Sequence, residues 1–214
     1  MAPADVATLK TTAVQLGVEI DQDAIARVDR FLGLLLEWNQ RFNLTGERDQ
    51  GALVRRHVVD SAAPIPWLPQ RGLIIDVGSG AGFPGIILSC LRPDLELVLI
   101  ESRRRPTSFL REAIRGIPLP NARALEMRAE DAAREPGVAD QAAAVISRAI
   151  RLPLFLTLAA PLVSQTGSVI AMQTPRTAAN IPDVEGLALR ERRSYCLPDG
   201  EERVLLRFAR RTVS

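Results

Sequence analysis

The sequence predicts an α/β fold, with a mostly parallel sheet covered by helices on both faces, a helical extension in front and an antiparallel hairpin at the end. Three observations predict it. From Gly72 onward, short apolar runs alternate with helical stretches, the pattern that parallel strands joined by crossover helices require. A glycine-rich turn, Asp76-Val-Gly-Ser-Gly-Ala-Gly-Phe-Pro-Gly85, follows the first of those runs and opens an apolar helix. The first third, by contrast, carries only helical periodicity, and the cluster Pro64, Pro66 and Pro69 ends it. The division therefore falls between a helical extension, 1–66, and one compact unit, 67–214.

In the extension, Val6, Leu9, Ala13 and Leu16 lie near a 3.6-residue period and Gly17 offers a stop. Asp21 can cap a second helix that buries Ile25, Val28, Leu32 and Leu35 and runs to about Phe42. A polar loop, Asn43–Asp49, leads into a third helix over Gln50–Ala62. Beyond the prolines, strands are expected at Leu73–Val77, Leu97–Ile100, Ala122–Glu126, Ala143–Ile146 and Ser168–Met172. Helices are expected at Ile86–Leu91, Ser108–Arg115 and Leu152–Val163. Ala188–Cys196 and Val204–Phe208, joined through Pro198-Asp-Gly200, form the hairpin at the sheet edge.

Composition narrows the function. The 214 residues are 47% hydrophobic and 24% charged, which excludes a disordered chain. No apolar run reaches the roughly 20 residues that span a bilayer, and the first residues lack the apolar stretch of a signal peptide. Cys90 and Cys196 have no metal-ligand spacing, and His57 is the sole histidine, so no metal site is expected and the setting is the cytoplasm. Lys10 is the only lysine, a coding bias toward arginine, and the net charge of +2 says little about nucleic acid by itself.

The glycine turn departs from the dinucleotide fingerprint, because Phe83 stands where G-x-G-x-x-G needs its third glycine. Glycines at 78, 80 and 82 permit positive φ and close backbone approach to a ligand. With an acid just before them, the loop resembles motif I of the class I S-adenosylmethionine (SAM) methyltransferases. Glu101 follows Gly78 by 23 residues, near the spacing at which a carboxylate meets a ribose diol. Arg128-Ala-Glu-Asp131, after the third strand, can offer a backbone N–H and a carboxylate to an adenine edge.

Further motifs make the resemblance specific. Trp38-Asn39 with Asn43-Leu-Thr45, Arg56-His57 with Asp60-Ser61, Glu101-Ser102, Phe109-Leu110, Arg128-Ala-Glu130 and Ser147-Arg-Ala149 follow one another in order. Together they resemble the bacterial small-subunit rRNA guanine-N7 methyltransferases, the glucose-inhibited division protein B (RsmG) group, over nearly the whole chain. The resemblance implies a class I, Rossmann-like methyltransferase that modifies a guanine of the 530 loop in 16S rRNA, in the 30S subunit or its precursor, as a monomer away from membranes. It implies that Gly78, Gly80, Phe83, Ala129, Glu130 and Arg148 contact SAM, with Glu101 at the ribose. Two departures stand out: Arg105-Pro106 replaces a lysine and a second basic residue, and Gly200-Glu-Glu-Arg203 replaces Gly-Glu-Arg-His.

The chemistry suits such a chain. Guanine N7 carries a lone pair and no proton, so attack on a methyl group needs alignment and water exclusion but no acid or base, and none is assigned. No (Asp/Asn)-Pro-Pro-aromatic motif follows the fourth strand, where Ser147-Arg-Ala149 stands, which argues against exocyclic-amine chemistry. Arg148 is placed to orient substrate or cofactor. Arg103, Arg105, Arg123 and His57 are candidate RNA contacts, with Arg192-Arg193 and Arg210-Arg211 as further basic pairs around the pocket mouth. Aromatic residues are only 4%, so no stacking platform is evident. The alternatives are a methyltransferase of another RNA or a small molecule, an NAD(P)-binding oxidoreductase, and a SAM- or NAD-binding module without catalysis.

Overall fold

The structure, a computed structural model, describes residues 1–211. Seven strands form one sheet in the order β3-β2-β1-β4-β5-β7-β6. They are β1 (Leu73–Val77), β2 (Glu96–Glu101), β3 (Ala122–Glu126), β4 (Ala142–Ser147), β5 (Val163–Gln173), β6 (Leu187–Cys196) and β7 (Glu202–Arg210). The first five run parallel, while β7 pairs antiparallel with both β5 and β6. The hairpin thus inserts its second strand between the parallel body and the edge.

Neighbouring residues of β1 point to opposite cores. Ile74 belongs to a cluster with Leu9, Phe31, Leu35, Val58 and Phe109, and Ile75 to one with Ala132, Phe155 and Leu156. The first cluster is built by α1 (Pro3–Leu16), α2 (Gln22–Phe42), the helical stretch 50–62, α5 (Gly85–Leu91) and α6 (Arg104–Gly116). The other face carries α7 (Ala129–Ala132) and α8 (Leu152–Ala159).

Local signals set the helix ends. Asp21 accepts a hydrogen bond from the Ala24 N–H at 2.6 Å, capping α2, and Gly17 closes α1 with φ +79°. The stretch 50–62 is helical as expected but not uniform: α3 (Gln50–Leu53) and α4 (Val59–Ala62) flank a π-helical turn, Val54–Val58, that contains His57. The helix expected to reach Val163 stops at Ala159, because Pro161 cannot continue it and Val163 already pairs with Ala142. The longer β5 shifts register between its pairings to Ala142 and Ala144. A Cβ on Gly167 would lie 2.5 Å from the Ala142 carbonyl oxygen, so only glycine fits there.

Candidate active site

Strands β1 to β3 and β4 to β5 grow in opposite directions from the middle of the sheet, so β1 and β4 are neighbours at a topological switch point. A crevice outside the carboxyl ends of these strands is where such sheets bind ligands. The sequence candidates Gly78, Glu101, Ala129 and Arg148 follow or end β1, β2, β3 and β4 at that edge.

The glycine turn is held tightly. Gly78, Gly80 and Gly82 have φ of +76°, +53° and +91°, the conformation that glycine alone adopts freely. The N–H groups of Gly78 and Ser79 donate to the Ile100 carbonyl at 2.9 and 3.2 Å, tying the turn to β2. Asp76 is buried beneath the turn and accepts the Gly85 N–H at 3.1 Å, while its Oδ1 has no partner among the described residues. Burial pushes the Asp76 carboxyl up to about 6. Sequence reasoning missed Gly85, where a Cβ would lie 2.6 Å from the Asp76 carboxylate. The signal was the short distance from acid to helix start, which leaves no room for a side chain.

Two cavities lie along this edge and meet at Ile150. One, of about 160 Å³, is lined by Gly78, Glu101, Ser102, Met127, Ala129 and Glu130 among others. Glu101 is buried in its wall, and its carboxylate accepts the Gly80 N–H at 3.0 Å and the Arg103 N–H at 2.9 Å. The Arg103 side chain, itself 70% exposed, reaches back to the same carboxylate at 3.0 Å.

The other cavity, of about 400 Å³, lies beside the ends of β4 and β5, with Arg56, His57, Arg148, Ile150, Gln173 and Arg203 in its wall. Here the structure brings together residues far apart in sequence. Arg148 donates to His57 Nδ1 at 2.9 Å and to Asp60 at 3.4 Å, and its guanidinium lies 5.2 Å from the centre of the Phe83 ring. The His57 ring stacks on Phe83 with centroids 5.0 Å apart. Asp60 is buried, and its second oxygen accepts the Tyr195 hydroxyl at 2.5 Å. Burial pushes the Asp60 carboxyl up against the pull of Arg148, Tyr195 and Arg203. Burial, aided by Arg148, Arg56 and Arg203, lowers His57 to about 4, so it is neutral at pH 7. Tyr195 had no signal in the sequence, being one aromatic on an edge strand. Arg203, in the segment that departs from the resembled pattern, sits 3.9 Å from Asp60.

Other motifs shape the wall from a distance. Asn39 is buried on α2, where its amide donates to the carbonyls of Thr45 and Glu47 and accepts the Thr45 N–H, all at 2.9 Å. That fixes the loop that presents Glu47 to Arg56 at 3.1 Å.

The basic candidates do not all converge. Arg103 and Arg105 stand at the start of α6, beside the site. Arg123 lies away from the two cavities: it pairs with Val98 at the start of β3 and lines a hollow with Leu73 and Glu96, at the amino edge of the sheet. A parallel strand puts only its last residues at the carboxyl edge. Arg210 likewise hydrogen-bonds the Val163 carbonyl, at the start of β5, and Arg211 pairs with Asp183. Aromatic surface is also more organised than composition suggested: Phe42 is 38% exposed, with the Arg105 guanidinium 5.8 Å from its ring centre.

A family model described as rRNA small subunit methyltransferase G matches residues 24–190. The chain belongs to that family. The ribosomal RNA small subunit methyltransferase G of Chromohalobacter salexigens is 34% identical over 213 residues, 98% of this chain and 100% of the relative. Solved structures show the same fold. A putative O-methyltransferase from Klebsiella pneumoniae, 16% identical, superposes with a TM-score of 0.59 over 85% of this chain and 90% of its own. M. jannaschii TYW2 in complex with AdoMet, also 16% identical, does so at 0.50 over 67% and 71%. This member of the family is a class I methyltransferase of small-subunit rRNA that uses SAM. The residues present fit that group: the small cavity is bordered by Gly78, which has no side chain, and by the buried Glu101 carboxylate, at the carboxyl ends of β1, β2 and β3.

Proposed function

We propose that this family member methylates N7 of a guanine in the 530 loop of 16S rRNA, within the 30S subunit or its precursor, as a cytoplasmic monomer. One observation carries the choice of a ring nitrogen. Among the described residues, the imidazole and carboxylates that line the larger cavity are already engaged: His57 Nδ1 by Arg148, and the two Asp60 oxygens by Tyr195 and Arg148. Glu47 and Glu201 are paired with Arg56 and Arg203. A nucleophile that must lose a proton finds no free base here, whereas guanine N7 has none to lose.

In this reading Gly78 and Gly80 give the cofactor backbone contact and Glu101 takes the ribose hydroxyls. Ala129 and Glu130 border the adenine, Phe83 and Arg148 contact the cofactor, and Arg148 also orients the base. SAM, when bound, supplies an electrophilic methyl group on a sulfonium. The chain's own work is to align that methyl with N7 and exclude water. Residues 1–66 act as an appendage to the compact unit 67–214, supplying His57 and Asp60 to its cavity. No helix among the described residues is long and apolar enough to cross a membrane, in keeping with a cytoplasmic setting. The test is incubation with methyl-labelled SAM and 30S subunits, followed by mass spectrometry of the digested RNA. Label at N7 of a guanine in the 530 loop is expected, and label elsewhere or none overturns the reading.

A further inference from the structure

The cavity beside β4 and β5 contains one side chain whose protonation is dictated by its neighbour. A guanidinium only donates, so the 2.9 Å contact from Arg148 makes His57 Nδ1 an acceptor. The ring is stacked on Phe83, which also lies under the Arg148 guanidinium. Arg148 is in turn held by Asp60, which is buried and fixed from its other oxygen by Tyr195. A neutral imidazole with Nδ1 accepting must carry its proton on Nε2. Nε2 has no hydrogen-bond partner among the described residues, and His57 lines the larger cavity.

Guanine presents N7 and O6 side by side on its major-groove edge, and adenine presents N7 beside an amino group. An arginine reading guanine two-pronged would place one N–H on N7 and cap the lone pair that must attack the methyl. Arg148 is unsuited to that task and already spends an N–H on His57. What the chemistry needs is a single neutral donor at O6, which holds the edge and leaves N7 open. The same donor would meet the adenine amino group head-on and reject it.

We propose that His57, in the tautomer imposed by Arg148, reads O6 of the target guanine through its Nε2–H and sets base specificity. The inference rests on the guanine-N7 reading and assigns its specificity contact. Its neighbours keep the ring neutral: Arg56, Arg148 and Arg203 face it with positive charge, while the carboxylates that line the same cavity are engaged elsewhere, Asp60 by Tyr195 and Arg148, Glu47 by Arg56 and Glu201 by Arg203.

The experiment uses 30S particles assembled on 16S rRNA carrying guanine, inosine or 2-aminopurine at the methylated position. Inosine keeps O6 and 2-aminopurine lacks it, while both keep N7. The wild type should methylate guanine and inosine at similar rates and 2-aminopurine roughly 10- to 100-fold more slowly, the range for an unpaired donor at a desolvated site. His57→Ala should slow guanine and inosine to the 2-aminopurine rate, erasing the penalty for the missing oxygen, with SAM affinity retained. His57→Gln, whose amide keeps an N–H donor, should recover part of the preference. An alanine variant as selective for O6 as the wild type overturns the proposal. If that variant does not fold, ¹⁵N NMR of the wild type decides, since His57 is the sole histidine: a proton on Nδ1 at neutral pH overturns the tautomer on which the contact depends. A wild type that labels no guanine N7 at all condemns the guanine-N7 reading instead.

Discussion

The Tyr195 hydroxyl donates to Asp60 at 2.5 Å, joining residues 135 positions apart and fastening the C-terminal hairpin to the helical layer. Both are buried, and Asp60 in turn holds Arg148. Tyr195→Phe removes the hydroxyl and leaves a buried carboxylate oxygen short of a donor. It should cost about 1–3 kcal/mol of stability, read as a lower midpoint of urea unfolding with an unchanged slope. Turnover should fall as well, because Arg148 loses part of its anchor. An unaltered midpoint would show that water replaces the hydroxyl at no cost.

His57 should not titrate across the neutral range. Its folded value of about 4 lies below the ordinary 6.5, so folding disfavours the protonated ring. The sign follows: its contribution to stability is full above pH 6.5 and is lost as pH falls through about 4. ¹⁵N NMR should show a single neutral tautomer from neutral pH down to about 5. In Arg148→Ala the midpoint should climb toward the ordinary value, since one source of positive charge and the lock on Nδ1 are removed together. A wild-type midpoint near 6.5 would contradict the arrangement.

The strands and the cofactor turn were legible in the sequence because their signals are local. An apolar run of five or six residues, a glycine turn and a helix start are fixed by near neighbours, as at Leu73–Gly85. The contacts around Arg148 were not, although Phe83, His57 and Arg148 were named as candidates. Asp60, Phe83, Arg148, Tyr195 and Arg203 meet only once β4 and β7 flank β5 and the helical layer closes over them. The place of Arg123 was hidden for the complementary reason: a basic residue on a strand declares its charge but not which end of the sheet it occupies.

Two glycines of the turn should separate under mutation. Gly78→Val forces a branched residue to φ +76° and places its Cβ 3.1 Å from Ile150, in the wall of the smaller cavity. SAM affinity measured by calorimetry should fall by roughly 100-fold or more while the far-UV spectrum stays folded. Gly82→Ala instead drives a Cβ to 2.8 Å from Ile86 and 3.1 Å from Phe31, inside the core. Its main effect should be a loss of about 1–3 kcal/mol in unfolding free energy. Wild-type SAM binding by Gly78→Val would make the turn purely structural.

Arg103 and Arg105 should contribute to RNA attraction and Arg123 should not. The first two flank the site at the start of α6, and the third sits at the opposite edge of the sheet. Arg103→Ala with Arg105→Ala should flatten the salt dependence of RNA binding by about one log-log unit for each phosphate no longer neutralised. Turnover at saturating RNA should persist. Arg123→Ala is the internal control, expected to leave the slope at its wild-type value, and a flattened slope there would place RNA across the amino edge as well.

Arg148 should matter through geometry rather than charge. Its guanidinium reaches His57 Nδ1 and Asp60 while lying over Phe83, three contacts in different directions. Arg148→Ala should lower kcat by roughly 100-fold or more with a much smaller change in RNA affinity, because a misplaced base forfeits the proximity contribution. Arg148→Lys keeps the positive charge but has no planar fork to bridge His57 and Asp60, and an ammonium stacks poorly on a ring. It should therefore rescue little of the missing kcat, although it spares Asp60 an unpaired burial and should recover most of the stability. The two readouts part company here. A lysine that restored turnover along with stability would reduce Arg148 to a counter-ion for Asp60, and full activity in the alanine variant would remove it from the reacting corner.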